Sequence, residues 1–140
     1  MIVRDIMSEN VVWVTPNTSL VEVARLMQKE DIGSVPVYEQ NRLQGIITDR
    51  DMILRAIATG KNPNSLQAND IMSRNVVTVS PDTDVHEASE IMAGKQIRRL
   101  PVMENNKLVG IIALGDLAVE RIHVDEAGEA LSDISQGIHH

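Results

Sequence analysis

Apolar and polar positions follow the same succession of patterns twice along the chain. A short apolar run over 11–14 reads as a strand ending in a turn at Pro16, and 76–79 with Pro81 repeats it. A helix follows in each case. Leu20, Val23, Ala24 and Met27 form a stripe at i, i+3, i+4 and i+7, and Val85, Ala88 and Met92 are its counterpart. Ser19 with Glu22, and Asp84 with Glu87, have the spacing of a capping box at the two helix starts. Two strands come next, over 34–38 and 43–48, then again over 99–103 and 108–113. Their links, Gln40-Asn41 and Asn105-Asn106, are short and Asn-bearing, as a tight hairpin with positive φ requires. Helices over 49–59 and 114–124 close the two series, so the expected order is β-α-β-β-α, twice.

The likeness extends to the residues themselves. Shifted by 65 positions, DIMSENVVWVTPNT (5–18) falls on DIMSRNVVTVSPDT (70–83), and IGSVPVYEQNRLQGIITDRD (32–51) falls on IRRLPVMENNKLVGIIALGD (97–116). Over 5–52 against 70–117, 22 of 48 positions are identical without a gap, where chance gives ~3. The chain is an internal duplication. Repeat one is expected over 1–60 and repeat two over 70–124, joined by a Gly-, Pro- and Asn-rich linker at 61–69. Residues 125–140 form an extension with room for a short helix. One unit of this size cannot cover both faces of its sheet, so the fold expected is α/β of the α+β type, with two repeats packed sheet to sheet in pseudo-twofold symmetry.

Composition narrows the function. A net charge of −7 and only two aromatic residues, Trp13 and Tyr38, argue against a nucleic-acid partner. No apolar run is long enough to span a bilayer, and the first ten residues lack a basic-then-apolar leader, so a cytoplasmic protein is expected. Without cysteine there is no disulfide, thiolate metal site or thiol nucleophile. His86 and His123 stand far apart with no ligating partner at useful spacing, so no metal is expected. The carboxylates of TDRD point to different helix faces and make no acid–base pair. With no P-loop lysine and no nucleophile–base constellation, an enzyme is not expected.

The opening DIM, the VxV(T/S)P strand, the PV segment and the GIIxxxD block, all in tandem over residues 1 to about 124, resemble a cystathionine β-synthase (CBS) domain pair, or Bateman module. The resemblance implies a stand-alone regulatory sensor. It would bind AMP, ADP, ATP or S-adenosylmethionine in clefts between the repeats, require no cofactor, and pair into a homodimer that signals to an effector protein. It also implies a ligand block, which repeat one matches in full as Gly45, Thr48 and Asp51. On this reading Gly45 permits close approach, Thr48 offers a hydroxyl to phosphate, and Asp51 accepts the ribose hydroxyls. Thr48 and Asp51 equally spell a capping box, and both readings stay open.

Repeat two keeps Gly110 and Asp116 but has Ala113 in place of the hydroxyl, which predicts unequal sites with the Asp51 site the tighter. Arg98 and Arg99, where repeat one has Gly33 and Ser34, resemble phosphate-contacting positions; the other reading is a solvated strand end or a surface ion pair. Val12, Val14, Val35 and Pro36 are candidates for the apolar wall of the site and equally for plain core. Trp13 is either a neighbour of the adenine or an edge residue. The alternative function is a dimerisation or protein-interaction module that binds no nucleotide.

Overall fold

Two antiparallel hairpins anchor the computed structural model, which describes residues 1–122; the expected extension over 125–140, like His123, lies outside the described residues. The first hairpin joins β1 (Ser34–Glu39) to β2 (Arg42–Thr48), and the second joins β3 (Arg99–Glu104) to β4 (Lys107–Ala113). Gln40 and Asn41 have φ of 53° and 58°, Asn105 and Asn106 of 51° and 65°. Two successive left-handed residues make the tight turn whose twist suits a hairpin, and Glu39 pairs directly with Arg42 across it.

Helix α1 (Leu20–Glu30) starts where the Ser19 hydroxyl accepts from Glu22 N, so half of the expected box forms. It buries Leu20, Val23 and Met27, but Ala24 is exposed and Leu26 is partly buried instead. These two residues flank the stripe on opposite sides, and only the longer side chain reaches the core. Helix α4 (Val85–Lys95) departs further. The Asp84 carboxylate accepts from His86 N at 2.8 Å, one amide earlier than the Asp84–Glu87 spacing predicts. Each helix ends on a left-handed residue, Asp31 or Gln96.

The runs over 11–14 and 76–79 do not become strands. Each makes one parallel bridge, Val14 with Val37 and Val79 with Val102. Prolines on both sides explain the length. Val14 N donates to Pro36 O and Tyr38 N donates to Val14 O, but the next donors in a parallel ladder would be the amides of Pro36 and Pro16, which have no hydrogen. Pro101 and Pro81 end the second bridge in the same way, after Val79 N→Pro101 O and Met103 N→Val79 O.

The closing helices also differ. In repeat one, α2 (Asp49–Met52) runs into a π-helical turn, Ile53–Ile57, which buries Ala56 and leaves Ile53, Leu54 and Ile57 about half to two-thirds exposed. In repeat two, α5 (Leu114–Ile122) is a regular α-helix.

The chain forms two compact units, and neither is a sequence repeat taken whole. Unit 1 combines Met1–Val11 with Thr78–Glu104 and the described chain from Val109 on; unit 2 is Val12–Val77 with the hairpin tip Asn105–Leu108. Backbone hydrogen bonds show the exchange. Within unit 1, Val3 N donates to Thr83 O, Arg4 N to Pro81 O and Val85 N to Met1 O; within unit 2, Ala68 N donates to Thr18 O, Asn69 N to Pro16 O and Leu20 N to Leu66 O. The segment opening each repeat thus caps the Pro-containing turn of the other. The Gly-, Pro- and Asn-rich stretch folds accordingly: Pro63–Ser65 is a 3-10 turn, Leu66 packs on the core, and α3 (Ala68–Ile71) buries Ala68 and Ile71. Each unit has an aliphatic core, around Val23, Val35, Val37 and Ile47 in unit 2 and around Met92, Leu100, Val102 and Ile112 in unit 1. No polar residue is buried among the described residues.

Candidate functional site

In unit 2 the strand β2 ends at Thr48, and α2 begins there. Thr48 and Asp51 form a complete capping box: Asp51 N donates to Thr48 Oγ1 at 3.1 Å, and Thr48 N donates to Asp51 Oδ2 at 3.0 Å. The box does not exhaust either side chain. The Thr48 hydroxyl keeps its proton and a lone pair, and Asp51 Oδ1 has only Arg55 Nε at 3.8 Å. Arg55 is held in turn by the carbonyls of Ile71 and Met72, to which Nη1 donates at 3.2 and 3.3 Å. Ser34 pairs directly with Thr48 across the hairpin, so two hydroxyl residues stand side by side at this strand end. Sequence reading passed over both Ser34 and Arg55. The signals were there: Asp51 and Arg55 have the i,i+4 spacing of a helical ion pair, and Ser34 opposes Thr48 once the hairpin turn is placed.

Gly45 has a packing reason of its own. A Cβ there would lie 2.6 Å from Ser73 O and 2.9 Å from Met72 Sδ, because Ile46 and Ser73 exchange two backbone hydrogen bonds of 2.9 Å beside it. Gly110 in unit 1 is the counterpart, with its Cβ position 2.7 Å from Met7 Sδ and 3.0 Å from Ser8 O. Both glycines are where the exchanged DIM segment crosses the hairpin.

Unit 1 holds Gly110, Asp116, Arg98 and Arg99. Ala113 N donates to Asp116 Oδ2 at 3.2 Å, which is the backbone half of the box; without a hydroxyl the other half is missing. Leu114 N donates to Arg98 O at 2.8 Å as Asp49 N donates to Gly33 O at 2.9 Å, which sets Arg99 across from Ala113. Arg98 is exposed and Arg99 half-buried. Arg99 Nε is buried with no hydrogen-bond partner, and neither guanidinium has an ion pair among the described residues.

The apolar candidates separate by burial. Val35 is fully buried, and Val14 and Pro36 are buried with it, all in the packing around β1; Val12 is half-buried. Trp13 is 47% exposed and meets Tyr38 edge to face at 5.5 Å, while Tyr38 Oη donates to Asn106 O at 2.9 Å. His86 Nε2 lies 3.0 Å from Glu90 Oε1 on the exposed face of α4. Among the described residues no three His, Cys, Asp or Glu side chains converge as metal ligands. No described helix is long and apolar enough to cross a membrane.

These hairpin–helix units, each with a carboxylate one turn past a strand end, define a small α+β module, and comparison with known proteins gives the family. The CBS domain matches residues 3–57 and again 68–122. The chain belongs to the CBS-domain family and carries a tandem pair of these domains. The CBS domain-containing protein YhcV of Bacillus subtilis is 44% identical over 138 residues, covering 98% of each chain. Among solved structures, Hypoxic Response Protein I, with two coordinated zinc ions, aligns at a TM-score of 0.77 with 32% identity over 86% of this chain and 98% of that one. The CBS domain pair of protein MJ0100, in complex with 5′-methylthioadenosine and S-adenosyl-L-methionine, aligns at 0.75 with 30% identity over 86% and 94%. The fold is therefore the α+β fold of CBS pairs, with two small antiparallel sheets.

Proposed function

We propose that this chain is a regulatory module that binds an adenine-containing ligand, AMP, ADP, ATP or S-adenosylmethionine, and reports occupancy to an effector protein. The observation that carries the reading is chemical: after capping its helix, the Thr48–Asp51 turn still offers a hydroxyl proton and a carboxylate oxygen that no hydrogen bond occupies, at one strand end. A carboxylate acceptor suits the paired hydroxyls of a ribose, and a hydroxyl donor suits a ribose or phosphate oxygen. Asp116 repeats the acceptor in unit 1, with Arg98 and Arg99 as the cationic groups, and in unit 2 half-buried Val12 offers apolar surface. The ligands bound by the MJ0100 pair, at 30% identity, support the adenine class.

No cofactor or catalytic step is assigned, and the site is read as non-enzymatic and cytoplasmic. Self-association into a homodimer is supported by the exposed Ile53, Leu54 and Ile57. Calorimetric titration with the four ligands tests the proposal, with saturable heat from at least one expected; no heat and no thermal shift at millimolar ligand would end it. A second reading, an interaction module that binds no nucleotide, draws on specific observations. The complete capping box accounts for Thr48 and Asp51, and the Ser73 carbonyl accounts for Gly45, without any ligand. The same titration separates the two.

A further inference from the structure

We propose that the two sites sort ligands by phosphate: the Arg98–Arg99–Asp116 site takes a phosphorylated adenine nucleotide, and the Ser34–Thr48–Asp51 site takes an adenine nucleoside without phosphate. The assignment rests on the adenine-ligand reading above and follows from three exchanges between equivalent positions.

First, the hydroxyl pair Ser34 and Thr48, cross-strand partners in β1 and β2, is replaced by Arg99 across from Ala113. The exchange trades two small hydrogen-bonding groups for one long cation above a residue too small to obstruct it. Second, the next pair outward reverses its charge. In unit 2 the Asp49 carboxylate covers Gly33, with Oδ2 3.0 Å from where a Cβ would stand. In unit 1 the same pair is Arg98 with Leu114, so a carboxylate is replaced by a guanidinium beside an aliphatic residue. A phosphate at this end of unit 2 would meet two carboxylates, Asp49 and Asp51, against the exposed Arg50 between them in sequence. At the same end of unit 1 it meets two arginines against the single carboxylate of Asp116.

Third, the cations differ in availability. Arg55 of unit 2 is already bound to two backbone carbonyls and lies near Asp51. The guanidinium groups of Arg98 and Arg99 have no hydrogen-bonded or ionic partner among the described residues, and Arg99 Nε is buried without one. A buried guanidinium N–H without an acceptor is unfavourable, and an anionic oxygen would satisfy it with a charge-assisted hydrogen bond. The hydroxyl missing from Ala113 is thus replaced by a stronger phosphate ligand on the facing strand. Phosphorylated ligand would favour unit 1, which reverses for that ligand class the ranking expected from the motif alone.

AMP and adenosine differ only in the phosphate and are the probes. Each is titrated calorimetrically into the full chain, wild type and the variants Arg98→Ala, Arg99→Met and Thr48→Ala, with thermal unfolding to verify that each variant folds. The expected result is separable binding. Arg98→Ala and Arg99→Met weaken AMP roughly ten- to hundredfold and leave adenosine unchanged, whereas Thr48→Ala weakens adenosine and spares AMP. Added salt should weaken AMP more than adenosine. Exposed Arg98 supplies the decisive variant if Arg99→Met fails to fold. If AMP and adenosine compete for one site that Thr48→Ala damages for both, or if Arg98→Ala leaves AMP affinity intact, the sorting by phosphate is wrong while the ligand-binding reading stands. No heat from either ligand with wild type overturns the sorting, and if ADP, ATP and S-adenosylmethionine give none as well, the ligand-binding reading falls with it.

Discussion

Unit 2 holds Gly45 directly under the Ser73 carbonyl, whereas unit 1 holds Gly110 chiefly under the Met7 sulfur. The same crossing of a DIM segment over a hairpin, fixed in each unit by two backbone hydrogen bonds, therefore brings backbone closer to one glycine than to the other. Backbone must move well aside to admit a methyl at Gly45; at Gly110 the nearest obstacle is a flexible thioether that can swing away, and the Ser8 carbonyl at 3.0 Å need give only slightly. The same contrast runs through the sites. Unit 2 has a complete capping box, a hydroxyl pair and an engaged Arg55, while unit 1 has half a box and two unengaged arginines. Duplication preserved the frame, and the chemistry at the strand ends diverged on it.

The largest expected effect tests the crossing. Gly45→Ala should destabilise by about 3 kcal/mol and Gly110→Ala by about 1 kcal/mol, as overpacking against fixed and movable neighbours respectively. Urea unfolding of the two variants checks the order; equal losses would mean that the crossings are alike. Next comes the box. Thr48→Ala should lose about 1 kcal/mol of stability through the cap, and Ala113→Thr should gain somewhat less by giving Asp116 N an acceptor. An Ala113→Thr variant that unfolds earlier than wild type would show that unit 1 cannot accommodate the box at all.

Arg55→Met should lower stability by about 1 kcal/mol, since the carbonyls of Ile71 and Met72 lose their guanidinium donor; Arg98→Ala, with no such bonds, should be neutral within about 0.5 kcal/mol. Thermal melts of both variants side by side decide this. The smallest effect concerns the hairpin turns. Gln40 occupies a left-handed position that Asn105 fills in the second hairpin, and Asn tolerates that conformation better. Gln40→Asn should raise stability by a few tenths of a kcal/mol, and a lowered denaturant midpoint would contradict the turn assignment.

Much of this was legible in the residues alone, for identifiable reasons. The duplication, the two hairpins with their Asn turns, the Ser19 cap and the Thr48–Asp51 spacing all depend on neighbours a few positions apart, and local stereochemistry reads directly from order along the chain. Strand length at 11–14 was less legible, although its cause is also written there: Pro16 and Pro36 end the ladder, but only once Val14 is known to pair with Val37. The Asp84 cap shows the same limit on a smaller scale. Spacing offered Glu87, and the carboxylate reached His86 N instead.

The exchange of DIM segments between units had no local signature. Asp5–Ser8 and Asp70–Ser73 are identical tetrapeptides, so nothing in their sequence says which hairpin each will cross. That choice belongs to the folded chain, where the Ser8 and Ser73 backbones find the free edges beside Ile111 and Ile46. The roles of Gly45 and Gly110 follow from it, because a glycine's need for space depends on what arrives above it. Residue order thus specifies which turns, caps and charges each repeat carries, since those are settled within a few bonds. Which segment closes which unit, and so which groups remain free to meet a ligand, is settled only when distant backbone surfaces compete for the same place.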